Sequence, residues 1–205
     1  FAKALVHVDM IDTSYKVVMR GDYVELWENR GFSFATDSAY MISYEDADSL
    51  FIHGDTLFMH FDKQAEELKK LIARRNVRFF KSDMQGKCDT LTYLTADSTI
   101  HLRVAPVLWA QDSQMTGDLI DIKIFDQKID FVLQKGNGFI IARDTVEGFN
   151  QIKGADIISH FKDGKINHVN VEGESAESIY WIRDDDTSLI GIDVAKSQTM
   201  VITMK

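Results

Sequence analysis

Cysteine, proline and long apolar runs are scarce or absent in this chain of 205 residues, and each scarcity excludes some kind of structure. Cys88 is the one cysteine, so the chain can form no internal disulfide. Pro106 is the one proline, which leaves nearly every backbone N–H able to pair in a sheet. No run of about 18 apolar residues occurs, so no segment is long enough to cross a membrane as a helix.

Basic residues are also too few to balance the acidic ones, and the formal net charge is −9. This charge argues against a protein that binds the phosphate backbone of a nucleic acid, and against one that docks on an anionic membrane surface. A ligand with anionic groups would have to be held mainly by its apolar parts. The hydrophobic fraction of 45% indicates a globular protein that is long enough to bury a core.

The strongest pattern is the alternation of apolar and polar residues with a period of two. It runs through Ile120–Ile124 and resumes in Ile129–Leu133, with a polar turn at residues 125–128 between them. We expect a hairpin with one apolar face. Asp163-Gly164 indicates a second hairpin, and the glycine-rich residues 135–138 indicate a loop. The pattern therefore predicts an all-β fold.

One segment, Asp62–Arg75, has a different period. Ala65, Leu68, Leu71 and Ile72 follow helical spacing with charged residues between them. Asp62 can cap the start of a helix, and Glu66 stands four residues before Lys70. We expect a short amphipathic helix over residues 62–75, inserted between strands, which closes one edge or mouth of the sheet or docks a partner.

A short motif recurs along the chain: an acidic residue, then Ser or Thr, then two strand-forming residues. Asp, Ser and Thr hydrogen-bond nearby backbone and favour turns, so each copy is expected to be a corner that leads into a strand. The irregular spacing favours an elongated, jelly-roll-like sheet pair in one domain of residues 1–205 over a strict solenoid. The copies begin at Asp37, Asp48, Asp55, Asp89, Asp97 and Glu177.

Several of these segments resemble a known family. Ala96-Asp97-Ser98, Pro106–Trp109 and Thr116-Gly117-Asp118 are similar to segments of the OstA-like (LptA) domain of lipopolysaccharide transport. Residues 77–80, 84–89 and 171–181 extend the similarity. The resemblance covers most of the chain, and its specificity comes from the number and order of these short segments rather than from any one of them.

The resemblance implies a fold, a location and a ligand. The fold would be an open-ended, twisted or V-shaped β-jelly roll in the periplasm of a Gram-negative cell. Its inner face would be an apolar groove that holds the lipid A acyl chains of lipopolysaccharide. Modules would stack on themselves or on other Lpt-type modules through edge strands, here near Val6–Met10 and Met200–Met204. The chain would not be an enzyme and would need no cofactor.

The residues expected to line this groove are apolar and lie mostly in the alternating strands. Each buried methylene of an acyl chain contributes about 0.8 kcal/mol, so a long dry trough suits a lipid with several chains. On residue patterns alone, the same side chains could form a closed core. The lining set is Leu91, Ile100, Leu102, Trp109, Ile120, Ile122, Ile124, Ile129, Phe131, Leu133, Phe139, Ile141, Ile157 and Trp181.

Two other functions remain open at this point. The first is an interaction scaffold with a filled core, whose sheet edges bind only proteins. The second is a carbohydrate-active enzyme with two carboxylates across a cleft, for which Asp37, Asp48, Asp89 and Asp97 are the candidates. Their place in every repeat favours turn roles instead. We expect no catalytic residue and no metal site, because no histidines have a recognisable ligand spacing. The histidines are His7, His53, His60, His101, His160 and His168.

Overall fold

The chain is described here from a computed structural model that divides it into two compact units, Phe1–Val104 and Ala105–Lys205. The prediction of a single domain over 1–205 stays a prediction. Within the described residues, no helix is long and apolar enough to cross a membrane. The structure describes residues 1–13, 16–44, 49–62, 67–144, 146–185 and 187–203, without the side chains of residues 67 and 174.

The first unit is an antiparallel meander in which each strand pairs with the next one along the chain. A single 3-10 turn, Glu28–Arg30, interrupts the described part of it. Its strands are β1 (Ala2–Asp12), β2 (Val17–Trp27), β3 (Phe32–Tyr44), β4 (Ser49–Asp62), β5 (Glu67–Lys81), β6 (Met84–Leu94) and β7 (Thr99–Arg103).

The second unit repeats this plan with three short strands followed by four long ones. Strands β10 to β14 pair in chain order, and the short strand β9 pairs with both β8 and β11. The prediction of an all-β, antiparallel fold is confirmed. The strands are β8 (Val107–Ala110), β9 (Ser113–Thr116), β10 (Leu119–Phe125), β11 (Lys128–Arg143), β12 (Phe149–Lys162), β13 (Lys165–Arg183) and β14 (Leu189–Thr203).

Most long strands carry a β-bulge near their middle, where the pairing register shifts. In the first unit such shifts lie between Arg20 and Tyr23 of β2, between Thr36 and Ala39 of β3, and at matching points of β1, β4 and β5. A bulge bends and twists its strand. Because the bulges lie on neighbouring strands, strands β1 to β5 bend at about the same level.

The recurring acidic motif forms several of these bends. Asp37 and Ser38 both have positive φ within the bulge of β3, and Asp55 lies in the bulge of β4. Asp97-Ser98 instead forms the turn between β6 and β7. The predicted corners are therefore confirmed at these positions, although two of them bend a continuous strand and do not reverse the chain. Asp48 lies outside the described residues.

The predicted helix over residues 62–75 is wrong where the chain is described, because Glu67–Lys81 is strand β5. Phe61 pairs with Leu68 and His60 with Lys70, so Lys69 is an extra residue in a bulge. This extra residue places Leu68 and Leu71 on one face although they are three positions apart. A strand with a bulge thus reproduces helical spacing over a few residues. Residues 63–66 lie outside the described part.

Both predicted hairpins are confirmed. Phe125 pairs with Lys128, and Lys162 pairs with Lys165, across two-residue turns in which both central residues have positive φ. The predicted loop at residues 135–138 is wrong, since β11 runs unbroken through them. They form a bulge instead, in which Gly136 adopts a φ of 66° against the side chain of Asp118. A glycine suits this position because it tolerates positive φ and has no Cβ to meet that carboxylate.

Candidate functional site

The candidate surface is the face of the strands on which side chains are buried. We call it the inner face. In the second unit it contains two cross-strand rows that run over β10 to β13. The members of both rows are at most 1% exposed to solvent. The rows are Ile120–Gln134–Ile157–Val171 and Ile122–Val132–Ser159–Val169, each joined by direct register pairs.

The first unit has an inner face of the same kind, built from small and flexible apolar side chains. Met19, Met41 and Met59 are at most 1% exposed. Among the described residues, Phe79 is the one phenylalanine in the buried apolar set, which contains no tryptophan. Unbranched side chains such as methionine adapt to irregular neighbours. One cross-strand row on this face is Val24–Ala35–Leu57–Ala73–Leu91–Leu102.

The predicted groove residues divide between the two faces of the strands. Those on the inner face are Leu91, Ile100, Leu102, Ile120, Ile122, Ile124, Ile129 and Ile157, and all but Ile124 are buried. Those on the opposite, outer face are Trp109, Phe131, Leu133, Phe139, Ile141 and Trp181, and all of them are half-buried.

The predicted single apolar face of the β10–β11 hairpin is therefore wrong. Ile124 pairs with Ile129, but Lys123 pairs with Phe131, which leaves Asp130 as an extra residue in a bulge. The bulge moves Phe131 and its alternate neighbours to the outer face. Val132 and Gln134 take the inner positions that the strict alternation assigns to Phe131 and Leu133. The six outer residues cannot line one groove together with the inner ones.

The two tryptophans of the predicted rim have partners on the outer face. The indole N–H of Trp109 donates to Gln114 Oε1 over 2.9 Å. The ring of Trp181 packs against Gly148, and its backbone N–H donates to Asn150 Oδ1 over 2.9 Å. Both tryptophans therefore make their contacts on the outer side of the second unit.

An aromatic ladder that was not expected from the sequence lies on the outer face of the first unit. Trp27 and Phe34 stack with ring centroids 5.8 Å apart and planes 23° apart, and Phe34 and Phe58 lie 6.0 Å apart. Arg74 covers the ring of Phe58 at 5.5 Å. The rings lie on neighbouring strands and cover one another. Their signal in the sequence was the alternation in Phe32-Ser33-Phe34, with polar or small residues between the rings.

A polar cleft of about 530 Å³ lies at the bulges of β1, β2 and β3 and contains the carboxylates of Asp9, Asp22 and Asp37. Asp9 forms an ion pair with Arg20 over 2.5 Å, and Asp22 accepts the backbone N–H of His7 over 3.1 Å. These contacts stabilise the bends of the strands. Within the described chain, no group of three or more His, Cys, Asp or Glu residues is arranged to hold a metal.

The first and last strands are open edges of their units. Among the described residues, β1 pairs only with β2, and β14 pairs only with β13. The side chains of β14 are exposed on both faces, with Ile190 at 67%, Val194 at 59% and Val201 at 71%. These strands coincide with the edges expected from the sequence, except that Met204 lies outside the described residues.

Comparison with known proteins finds similarity among solved structures, but none among family models or curated proteins. No protein-family model matches the chain, and a search of curated proteins gives no match either. Among solved structures, the chain is similar to LptH from Pseudomonas aeruginosa, the LptA-homologous periplasmic component of the lipopolysaccharide transport device. The similarity covers 58% of this chain and 82% of that one, at 12% sequence identity and a TM-score of 0.49.

Proposed function

We propose that this chain is a periplasmic carrier module for lipopolysaccharide, which holds lipid A acyl chains against its inner face. The observation that carries the proposal is the composition of that face. In both units most of its side chains are aliphatic or methionine, with few polar residues among them, while the stacked aromatic rings of the first unit lie on the outer face. The sequence resemblance to the OstA-like (LptA) family gives independent support.

The physical basis is the transfer of acyl chains out of water. Each methylene that moves from water to an apolar surface contributes about 0.8 kcal/mol, so several long chains bind tightly without any charged contact. Met19, Met41 and Met59 can change rotamer to accommodate an irregular ligand. Because the inner face is closed to solvent, lipid enters by parting its side chains. An acidic protein surface is compatible with this mode, since the anionic head group stays in water.

Passage of lipid between modules is the second part of the proposal. An open edge strand presents unpaired N–H and C=O groups on which another chain can add a strand. Strands β1 and β14 carry such edges, together with exposed apolar side chains such as Leu5 and Val194. A like module that adds to either edge extends the sheet and its inner face. The energy for lipid movement comes from elsewhere in the transport system.

One observation favours a second candidate function, a protein-interaction scaffold with a filled core. Ile120, Ile122 and Ile157 have no solvent exposure at all, as in a closed core. A scaffold would use the same edges and would bind no lipid. The two functions therefore differ in one measurable property, which is whether the inner face takes up acyl chains.

Ile124 and Phe131 provide a matched pair of variants for this test. Both side chains are half-buried, but Ile124 lies on the inner face and Phe131 on the outer face. We expect Ile124→Glu to weaken binding of fluorescent lipid A at least tenfold, because a charge beside the acyl chains is costly. Phe131→Glu should bind as the wild type does. Equal affinities of the two variants, at equal thermal stability, would favour the scaffold.

A further inference from the structure

Among the residues that the structure describes, two polar atoms on the inner face of the second unit have no hydrogen-bond partner. They are Oε1 of Gln134 and Oγ of Ser159, and both residues are 0% exposed. Buried polar groups are nearly always hydrogen-bonded, so an unpaired pair of neighbours calls for an explanation. Their surroundings are apolar, since Ile120 and Ile157 flank Gln134 in its row.

The orientation of the Gln134 amide is determined by its own contacts. Its Nε2 donates to the carbonyl oxygen of Thr116 over 2.7 Å and to that of Phe139 over 3.0 Å. Both partners are acceptors only, so the atom facing them must be the NH₂ group. The side-chain oxygen therefore faces the other way and remains without a donor.

Gln134 and Ser159 are close enough to act together. Gln134 pairs with Ile157, and Ser159 lies two residues further along β12 on the same face. The Cα atoms of such diagonal neighbours on paired strands are about 7–8 Å apart. One small group bound between the two side chains can therefore contact both. Two residues with unpaired polar atoms thus occupy diagonal neighbouring positions on an otherwise apolar surface.

We propose that Gln134 and Ser159 form a binding position for a hydroxyl group carried on an acyl chain. This inference rests on the proposed lipid-carrier function and names a chemical feature of the lipid. Gln134 Oε1 can only accept, so the ligand must donate. A hydroxyl donates to that oxygen and accepts from the Ser159 hydroxyl at the same time. A plain acyl chain leaves both atoms unpaired, and an ionised carboxylate has no proton to give.

The test compares two fatty acids that differ in one hydroxyl group. Binding of β-hydroxymyristic acid and of myristic acid to the full chain is measured by calorimetry at neutral pH. We expect the hydroxylated acid to bind roughly fivefold more tightly, which is the effect of one net hydrogen bond. Gln134→Met and Ser159→Ala should bind both acids equally. Ser159→Ala keeps the Gln134 contacts to the backbone, so it tests the site even if Gln134→Met does not fold.

Ser33→Ala is the matched control. Ser33 is also 0% exposed with an unpaired hydroxyl, but it lies on the inner face of the first unit. Its removal should leave the preference for the hydroxylated acid intact. This inference alone is overturned if the wild type binds the two acids equally. It is also overturned if the preference for the hydroxylated acid survives in Ser159→Ala or is lost in Ser33→Ala. Failure to bind either acid overturns the carrier function as well.

Discussion

The side-chain amide of Asn137 donates to both carboxylate oxygens of Asp118, over 3.2 and 3.1 Å. Asn76 makes the same contact with Asp55 in the first unit, over 3.0 and 3.2 Å. Both asparagines have positive φ in a bulge. Asp55 lies in the neighbouring strand β4, and Asp118 lies directly before β10. The two units thus stabilise the bends of their strands by the same device.

The Asn137 contact predicts a graded loss of stability. Asn137→Ala removes the hydrogen bonds and places an alanine at a φ of 54°, which costs about 1–2 kcal/mol in addition to about 1 kcal/mol for the contact. Asn137→Gly removes only the contact. Urea unfolding should therefore show a loss of about 2–3 kcal/mol for alanine and about half of that for glycine. A larger loss for glycine than for alanine would contradict this account.

The fold class could be predicted from the sequence, but the course of individual strands could not. Asp163-Gly164 has a strong local preference for a hairpin turn, and the polar pair Asp126-Gln127 interrupts the apolar alternation. The structure confirms both turns. A β-bulge has no comparable signal in the sequence. One extra residue, such as Lys69 or Asp130, moves every later side chain of the strand to the opposite face from the one that alternation assigns. This is why the part of β5 that falls within residues 62–75 was predicted as a helix.

The candidate site could be predicted only in part for the same reason. Alternation identified Ile120 and Ile122 correctly as inner residues, since no bulge separates them. Beyond the bulge at Asp130 it assigned Phe131 and Leu133 to the wrong face. Strict alternation places Gln134 on the polar face, although the residue is buried. A glutamine gives no indication in sequence that backbone carbonyls will bind its amide.

The ion pair of Asp144 and Arg183 predicts a large effect for a single substitution. The side chains are 7% and 10% exposed, and Arg183 Nη2 lies 2.6 Å from Asp144 Oδ2. Without the Asp144 charge, the buried guanidinium of Arg183 keeps hydrogen bonds to the neutral carbonyls of Glu147 and Thr187 but loses its ion pair, so Asp144→Asn should lower the free energy of unfolding by about 3 kcal/mol. The exposed pair of Glu177 and Lys196 is the control. Glu177→Gln should leave the unfolding midpoint unchanged, and equal effects of the two variants would contradict the prediction.

Cys88 predicts a dependence of stability on alkaline pH. Burial raises the pKa of its thiol from 9.0 to about 12. Because the folded pKa lies above the unfolded value, this contribution to stability is complete below pH 9.0 and is lost between pH 9.0 and about 12. The Cys88→Ala variant should lack this part of the decline when unfolding is measured across that range. The burial of this thiol would be contradicted if iodoacetamide alkylated the folded protein at neutral pH as fast as it alkylates the unfolded chain.

The open edge of β14 predicts self-association that depends on its side chains. Ile192 and Val194 are 51% and 59% exposed on this strand. A lysine at either position opposes the addition of another strand. Ile192→Lys and Val194→Lys should shift the sedimentation profile towards the monomer, while Phe125→Lys, at an exposed turn, should not. A profile that is monomeric in the wild type would argue against stacking at this edge.

The most direct test of the carrier function is photo-crosslinking to lipopolysaccharide from single positions in living cells. A photoreactive amino acid replaces Leu91, Ile122 or Ile157 on the inner face, and Leu133, Phe139 or Ile141 on the outer face. The account predicts lipopolysaccharide adducts from the inner positions and none from the outer ones. Adducts from the outer positions alone, or from no position in a folded protein, would contradict it.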